Sequence, residues 1–498
     1  MDVTPHIASI GSETGAVEPT SAPAQDSARP RAAAAAWSNL VPIAVASALF
    51  MEFVDSTALS TALPTLARAF NSDPIHLKLA LTSYLLALAV FAPASGWVAD
   101  RFGARRVFIS AMTVFLAGSV LCAASHSLVQ LVGARIVQGL GGAMMTPVGR
   151  LIVVGSAPRE RFVSAMSWFT MPALVGPLVG PPISGLVLTV ASWPWIFLIN
   201  LPVGLIGMGA VARFVPRLRQ PDPGCFDLKG FGLSALAITA IVFVAETAGV
   251  GLIPVWGQLA AAVVGLVSAL AFVRHALRAP RPVLDLRLLA ARTYRASVIG
   301  GSLVRLGIGA TPLLMPLLLQ VALGWMPLQA GLVTIAQTVG ALVCKAAAPG
   351  LIRTWGFKRV MLSSVVMAAV LTAAPATFRA STPVWLMMAA LFLGGFARSL
   401  QFTATNAIAY ADVPPDRISA ASTLSVVIQQ VGMSLGVSFG ALMLQLTRGG
   451  GGASVLTPER FTWPFVIVGL STLSAALAYV RLAPNAGAAI SGRRSAAG

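Results

Sequence analysis

Only 10% of the 498 residues are Asp, Glu, Lys or Arg, where soluble domains carry roughly 25%. That shortage excludes an ordinary soluble fold, which needs far more charge to keep its surface in water. Acids are the scarcest of the charged types, 16 against 34 basic residues. Cysteine is nearly absent as well. Cys122, Cys225 and Cys344 are far apart and two of them fall in apolar stretches, so they supply neither a disulfide framework nor metal-ligand spacing. The four histidines, His6, His76, His126 and His275, fall in the N-terminal tail or near the ends of apolar stretches. No His/Cys/Asp cluster has metal or triad spacing, which argues against a metal site and against a membrane enzyme. No G-x-x-x-x-G-K-[ST] loop occurs, which argues against transport driven by ATP.

What the chain has instead is apolar residue, 57% of the total, with a mean hydropathy of +0.83. Windows of about 20 apolar residues, enough to cross a bilayer, recur near 40–64, 77–97, 107–125, 128–152, 162–190, 194–213, 229–249, 254–275, 296–321, 328–349, 358–378, 383–407, 418–446 and 461–482. The fold class is therefore all-α and integral to a membrane, with fourteen spans. Residues 1–37 are rich in Ala, Ser, Thr and Pro and lack any apolar period. They read as a disordered tail rather than a signal peptide, and a second loose tail follows Pro484.

The basic residues set an expected orientation. Most of the 34 Lys and Arg fall in the tails and in loops on one side of the spans. The other side holds Arg68, Lys78, Arg379, Arg448 and Arg460, and Arg135, Arg305, Lys345 and Arg398 lie inside windows. By the positive-inside rule both termini are cytoplasmic. The net charge of +18 is thus topology, and nucleic acid is not expected as a partner.

Three internal echoes pair window n with window n + 8. Gly103-Ala-Arg-Arg-Val107 matches Gly356-Phe-Lys-Arg-Val360, Ala134-Arg-Ile-Val-Gln138 matches Ala397-Arg-Ser-Leu-Gln401, and Gly176 and Gly180 match Gly432, Gly436 and Gly440. Two six-helix halves with two helices inserted between them would give this offset. Parallel halves with a site between them describe a secondary transporter. The expected boundaries are 38–215 and 281–483 for the halves, 216–280 for the inserted pair with its linkers, and 484–498 for the C-terminal tail.

Several stretches carry a family resemblance. Gly96-Trp-Val-Ala-Asp-Arg-Phe-Gly-Ala-Arg-Arg106 resembles the loop 2–3 signature of the major facilitator superfamily, and Ala134–Ala143 resembles its helix-4 arginine motif. Val175-Gly-Pro-Leu-Val-Gly-Pro-Pro-Ile-Ser-Gly185 is similar to its helix-5 exporter motif. Asp55-Ser-Thr through Ala62-Leu-Pro64 resembles the first-helix signature of the fourteen-spanner drug:proton antiporters, the EmrB/QacA kind. Pro93–Trp97, Gly142–Arg150 and Trp195–Gly204 most resemble the MdtD-type multidrug-resistance transporters within that group. The likeness covers about residues 40–480. It departs at Pro181, where the family often has Gly, and at Arg353, where a strict repeat of Asp100 would place an acid.

The resemblance implies a proton-coupled exporter of small amphipathic or toxic compounds, working by alternating access in the inner membrane of a bacterium. It implies no cofactor, with the proton gradient as energy source, and small-molecule substrate, protons and the bilayer as partners. A periplasmic accessory protein stays open, since nothing in the sequence points to one. In the family the loop Gly96, Asp100, Arg101, Gly103, Arg105 and Arg106 acts as a gating latch. The residues alone fit that role or a solvated basic loop, with Asp100 able to pair with Arg101, Arg105 or Arg106, or to sit at a helix N-terminus. Gly176, Pro177, Gly180, Pro181 and Gly185 combine small residues that let helices approach with prolines that bend them. That is tight packing, which the family associates with export.

Acids inside spans are costly and mark function by default. Glu52 lies roughly 18 Å from the basic end of the first span and Asp55 roughly 4–5 Å further along, while Arg135 in the fourth span reaches nearly the same level. An arginine favours the ionised acid and loss of water disfavours it, so Asp55, Glu52 and Arg135 are the candidate proton-coupling group. A fixed ion pair between the first and fourth spans is the alternative. The last six spans hold no acid but contain Arg305 and Arg398 in mid-membrane, with Lys345 near the basic end, where it would snorkel. The two arginines have three possible kinds of partner: the first-span acids across a cavity, the polar Gln320, Gln337, Gln401 or Asn406, or an anionic substrate. Anionic or chelating metabolites such as citrate-like carboxylates are thus an alternative cargo, and a channel is the weakest reading. Glu246, near the end of an inserted span, is expected to be peripheral.

Overall fold

The computed structural model describes residues 40–156, 162–216, 224–248, 253–414, 417–448, 456–483 and Ala486. The N-terminal tail, nearly all of the C-terminal tail and residues 217–223 of the linker lie outside them. Fourteen helices are long and apolar enough to cross a membrane: α1 (Leu40–Ala69), α2 (Lys78–Phe102), α3 (Ala104–Ala123), α4 (Leu128–Ser156), α5 (Trp168–Val190), α6 (Trp195–Phe214), α7 (Leu228–Thr247), α8 (Val255–Arg278), α9 (Arg292–Ala322), α10 (Pro327–Trp355), α11 (Phe357–Thr377), α12 (Val384–Ala409), α13 (Ile418–Thr447) and α14 (Pro458–Val480). No strand occurs among the described residues. Helix is what such apolar runs must form, because hydrocarbon offers no partner to an unbonded backbone group.

Every expected window becomes one of these helices. The differences lie at their ends, where charged residues continue the helix beyond the apolar run. Thus α2 runs on through Asp100 and Arg101, and α9 begins four residues early at Arg292. Proline bends the interior. Pro93 leaves a tight turn over Ala92–Ala94 inside α2, and Pro312 and Pro316 precede a widened π-helical turn over Leu317–Ala322 in α9.

The packing repeats with the offset seen in the sequence. Helix α1 packs on α5 and α6, α3 on α4, and α2 on α4. Eight helices later, α9 packs on α13 and α14, α11 on α12, and α10 on α12. The matched loops agree in backbone detail. Gly103 breaks the chain between α2 and α3 at φ +92°, and Gly356 does so between α10 and α11 at φ +78°, a region that favours glycine. Two seams join the sets, α2 against α13 and α5 against α10. The inserted α7 pairs with α8 and lies along the first seam, touching both α2 and α13.

The two ends of the bundle differ. Toward the end opposite the basic loops, a single apolar cluster runs from α1 (Leu59, Leu63, Leu66) to α9 (Leu313, Leu317), α13 (Val437, Leu444) and α14 (Phe465). Gln320 of α9 donates to the Thr61 carbonyl of α1 at 2.8 Å inside it. At the basic end Arg150 of α4 reaches Ser422 of α13 at 3.2 Å, beside a cavity of about 50 Å³ that Ser95 and Thr146 also line.

Asp227 starts α7 at the basic end. Its carboxylate accepts from the Gly230 N–H (2.9 Å) and the Val283 N–H (3.1 Å) and meets His275 Nε2 of α8 at 2.8 Å. Partial burial works to raise the Asp227 pKa, but these partners outweigh it and hold the carboxyl below its ordinary 3.8. A folded value below the unfolded one adds stability above the unfolded value and loses it as pH falls through the folded one. Asp227→Asn should therefore melt below wild type at neutral pH, and the gap should close below about pH 4. Thermal melts of the detergent-solubilised protein against pH check this.

Candidate functional site

Asp55 sits where α1 meets α4 and α6, and its side chain is fully buried. Arg135 Nη1 lies 2.5 Å from its Oδ2. Gln138 Nε2 and Asn200 Nδ2 donate to its Oδ1 at 2.8 and 3.1 Å. Helix geometry brings these together, because Arg135 and Gln138 are three residues apart on one face of α4. Asn200 opens a helical run at the start of α6. Ser119 of α3 completes the floor, accepting from Gln138 at 2.9 Å and from Asn200 at 3.4 Å.

Arg135 is tied down on every side. Its Nε donates to the Ala80 carbonyl of α2 at 3.1 Å, its Nη1 also reaches Gln138 Oε1 at 2.6 Å, and its Cζ stands 4.4 Å from the Tyr84 ring centre. The Tyr84 hydroxyl is buried with no hydrogen-bond partner among the described residues. Three helices, α1, α4 and α6, thus meet at one carboxylate, and α2 and α3 hold its partners. Chemically this is a charge-neutral pair with a reserve of uncharged partners. If Asp55 takes a proton, Arg135 keeps a carbonyl, an amide oxygen and an aromatic face.

Glu52 stands apart from this group. It is half-buried one turn earlier in α1, and its Oε2 accepts from Thr146 of α4 at 2.9 Å. The expected trio of Glu52, Asp55 and Arg135 is therefore a tight pair with a neighbouring acid on a different partner.

In the last six helices the expected cavity residues are mostly engaged. Arg398 turns to its own set, with Nε to the Gly394 carbonyl at 3.3 Å and Nη1 to Thr311 of α9 at 3.4 Å. The repeat is instructive here. Arg135 on α4 meets an acid on α1, whereas its echo Arg398 on α12 meets a hydroxyl on α9. Arg305 lies over the Phe402 ring, its Cζ 5.9 Å from the centre. Neither arginine has a carboxylate within ion-pair distance among the described residues. Gln320 is spent on the α1–α9 contact. Gln401 accepts from Ser364 at 2.5 Å and donates to Thr405 at 3.1 Å. Asn406 accepts from Gln429 at 3.4 Å, and Gln337 is half-buried with its backbone against Gly395. Lys345 is exposed, its Nζ 3.4 Å from Thr403 of α12.

In the loop motif, Arg105 donates to the Ala212 carbonyl of α6. Trp97 bonds the Gly224 carbonyl at 3.0 Å and stacks near Phe226, so this motif also docks the segment leading into α7. Asp100 makes no ion pair with Arg101, Arg105 or Arg106 among the described residues, and Gly96, Arg101 and Arg106 are exposed. In the helix-5 motif, Gly176 and Gly180 lie against Phe53 and Thr57 of α1, flanking the level of Asp55. Gly185 and Pro181 meet Leu328 and Gly331 of α10 across the second seam, and the Pro177 carbonyl accepts from Thr338 at 3.2 Å.

Glu246 contradicts its expected peripheral place. It is 6% exposed, paired with Lys78 of α2 at 3.5 Å, and bonded by Ser438 of α13. Sequence reasoning also missed Gln138, Asn200 and Arg150. All three lay within quoted motifs, and the polarity of the first two in apolar stretches was the available signal.

Comparison with known proteins agrees with this geometry. The Major Facilitator Superfamily model matches residues 45–273 and 297–497. MdtD of Serratia proteamaculans, provisionally named a multidrug resistance protein, is 38% identical over 402 residues, 80% of this chain and 84% of that one. Its namesake in Cronobacter sakazakii is 35% identical over 446 residues, 88% of this chain and 93% of that one. Among solved structures a D-xylose–proton symporter superposes with a TM-score of 0.62 at 17% identity, covering 90% of this chain and 98% of that one, a likeness of fold alone. The chain belongs to the major facilitator superfamily, as a multi-pass membrane transporter of small molecules.

Proposed function

We propose that this transporter is a proton-coupled exporter, a drug:proton antiporter that moves small amphipathic or toxic compounds out of a bacterial cell across its inner membrane. The basic loops face the cytoplasm, and the halves at 38–215 and 281–483 alternate access to a site between them. The observation that carries this is Asp55, an acid buried in mid-span and held by Arg135, Gln138 and Asn200. Intramembrane acids of this kind mark proton pathways. Protonation would release Arg135 from the acid it pairs with and change how α4 is held to α1. That gives one proton a structural consequence, which is what coupling requires. The curated relatives named for multidrug resistance support the cargo class.

A second reading, export of anionic or chelating metabolites, is favoured by Arg305 and Arg398, two buried cations with no carboxylate in ion-pair distance among the described residues. Everted vesicles carrying a pH-sensitive dye separate the two. Cationic and neutral hydrophobic drugs should elicit proton release from acid-loaded vesicles, with Arg305→Ala and Arg398→Ala near wild type. Release by organic anions alone, lost in both arginine variants, would replace the drug reading with the anionic one.

A further inference from the structure

Glu246 sits near the end of α7, on the inserted pair, yet it faces inward. Lys78 opens α2 with 1% exposure, and the 3.5 Å pair joins Nζ to Oε2. Both atoms are buried and neither has a hydrogen-bond partner among the described residues, so the two charges face each other as an ion pair. The second carboxylate oxygen, Oε1, accepts from the Ser438 hydroxyl on α13. Three helices of different provenance therefore meet at one carboxylate: α2 from the first six, α13 from the last six, and α7 from the inserted pair. The junction lies at the end opposite the basic loops, where the α1–α9 cluster and the Gln320–Thr61 bond also close the bundle.

We propose that Glu246 is a positioning residue that makes the inserted helices part of this closure, clamping the α2–α13 seam shut by holding Ser438 from one side while anchored to Lys78 on the other. When the seam opens, the contact that parts is the hydroxyl bond. Separating a buried pair strands two charges, whereas Ser438 retains its bond to the Ser434 carbonyl at 3.1 Å. Glu246 therefore travels with α2, and α7 moves with it. The extra helices are a strut across one seam rather than a passive annex. The inference rests on alternating access, and it is independent of the cargo and of Asp55.

Its test needs neither substrate nor a proton gradient. Thr61, 5% exposed inside the closed end, is replaced as Thr61→Cys in a background carrying Cys122→Ala, Cys225→Ala and Cys344→Ala. Labelling by a membrane-impermeant thiol reagent is then timed from the face away from the basic loops. Ser438→Ala and Glu246→Gln should each label about tenfold faster, because one hydrogen bond to a charged group biases a two-state closure by that order. The exchange Lys78→Glu with Glu246→Lys should return the rate toward the parent, while either reversal alone should not. Ser438→Ala leaves the ion pair whole and so keeps the test sound if Glu246→Gln fails to fold. Unchanged labelling in Ser438→Ala and in every folded charge variant, with only a lower melting temperature, would reduce the junction to a structural pair and overturn the proposal. A failed drug assay beside accelerated labelling would count against the cargo and leave the clamp standing.

Discussion

Asp55→Asn should abolish substrate-induced proton movement while leaving the protein in the membrane. Asparagine keeps the size of the side chain and can still bond Gln138 and Asn200, but it cannot exchange a proton. A ligand bound equally by both conformations shifts neither, and a proton that is never bound shifts nothing. Coupling should therefore fall to the background of empty vesicles rather than by a modest factor. Stability changes separately. Removing one partner of a buried pair strands the other charge, at about 3–5 kcal/mol. Here Arg135 retains the Ala80 carbonyl, Gln138 and the Tyr84 ring, so the loss should sit at the lower end of that range. The double variant Asp55→Asn/Arg135→Gln should then recover thermal stability without recovering proton movement. That split is the decisive outcome, since a merely structural pair would regain both together. Glu52→Gln is the companion measurement. Normal coupling in Asp55→Asn together with loss in Glu52→Gln would move the proton site one turn along α1, to the acid on Thr146.

How far the sequence foretold this depended on the kind of force involved. Span number follows from bilayer thickness and hydropathy, and all fourteen helices could be read. Gly103 and Gly356 were legible as a repeat because their backbone conformation excludes most other residues. The level of Asp55 against Arg135 followed from helix rise alone. Neighbour choice was not legible. Gln138 and Asn200 carry no charge, so nothing local distinguishes a polar residue that braces an acid from one that lines a cavity. Arg398 could have taken any of three kinds of partner, and only the fold shows that it meets a hydroxyl on α9 and its own helix backbone. Glu246 misled for the same reason. An acid near a span's end resembles an interfacial one, and hydropathy does not say that α7 leans on the α2–α13 seam with Lys78 facing it.

Gly395→Ala should be the most damaging of the small substitutions, though it touches no charge. Helices α10 and α12 cross at two reciprocal points. A Cβ at Gly395 would fall on the Gln337 carbonyl oxygen, and one at Gly340 would fall on the Phe392 carbonyl oxygen. Both obstacles are backbone, so no rotamer change relieves them. In lipid the hydrophobic effect does not hold helices together, and close packing of small residues takes its place. Overpacking of this type costs about 1–3 kcal/mol, which for a chain this size lowers the melting temperature by a few degrees per kcal/mol. Both crossings join α10 to α12, so the two variants should lower stability alike. Gly96→Ala supplies the control. Gly96 is exposed with no heavy atom within 4 Å of an added Cβ, and alanine improves a helix by about 1 kcal/mol over glycine. Fluorescence-detected size exclusion after a heat ramp should rank Gly96→Ala at or above wild type, with Gly395→Ala and Gly340→Ala well below. Equal melting of Gly395→Ala and wild type would mean that α10 and α12 do not meet as closely as these two carbonyls require.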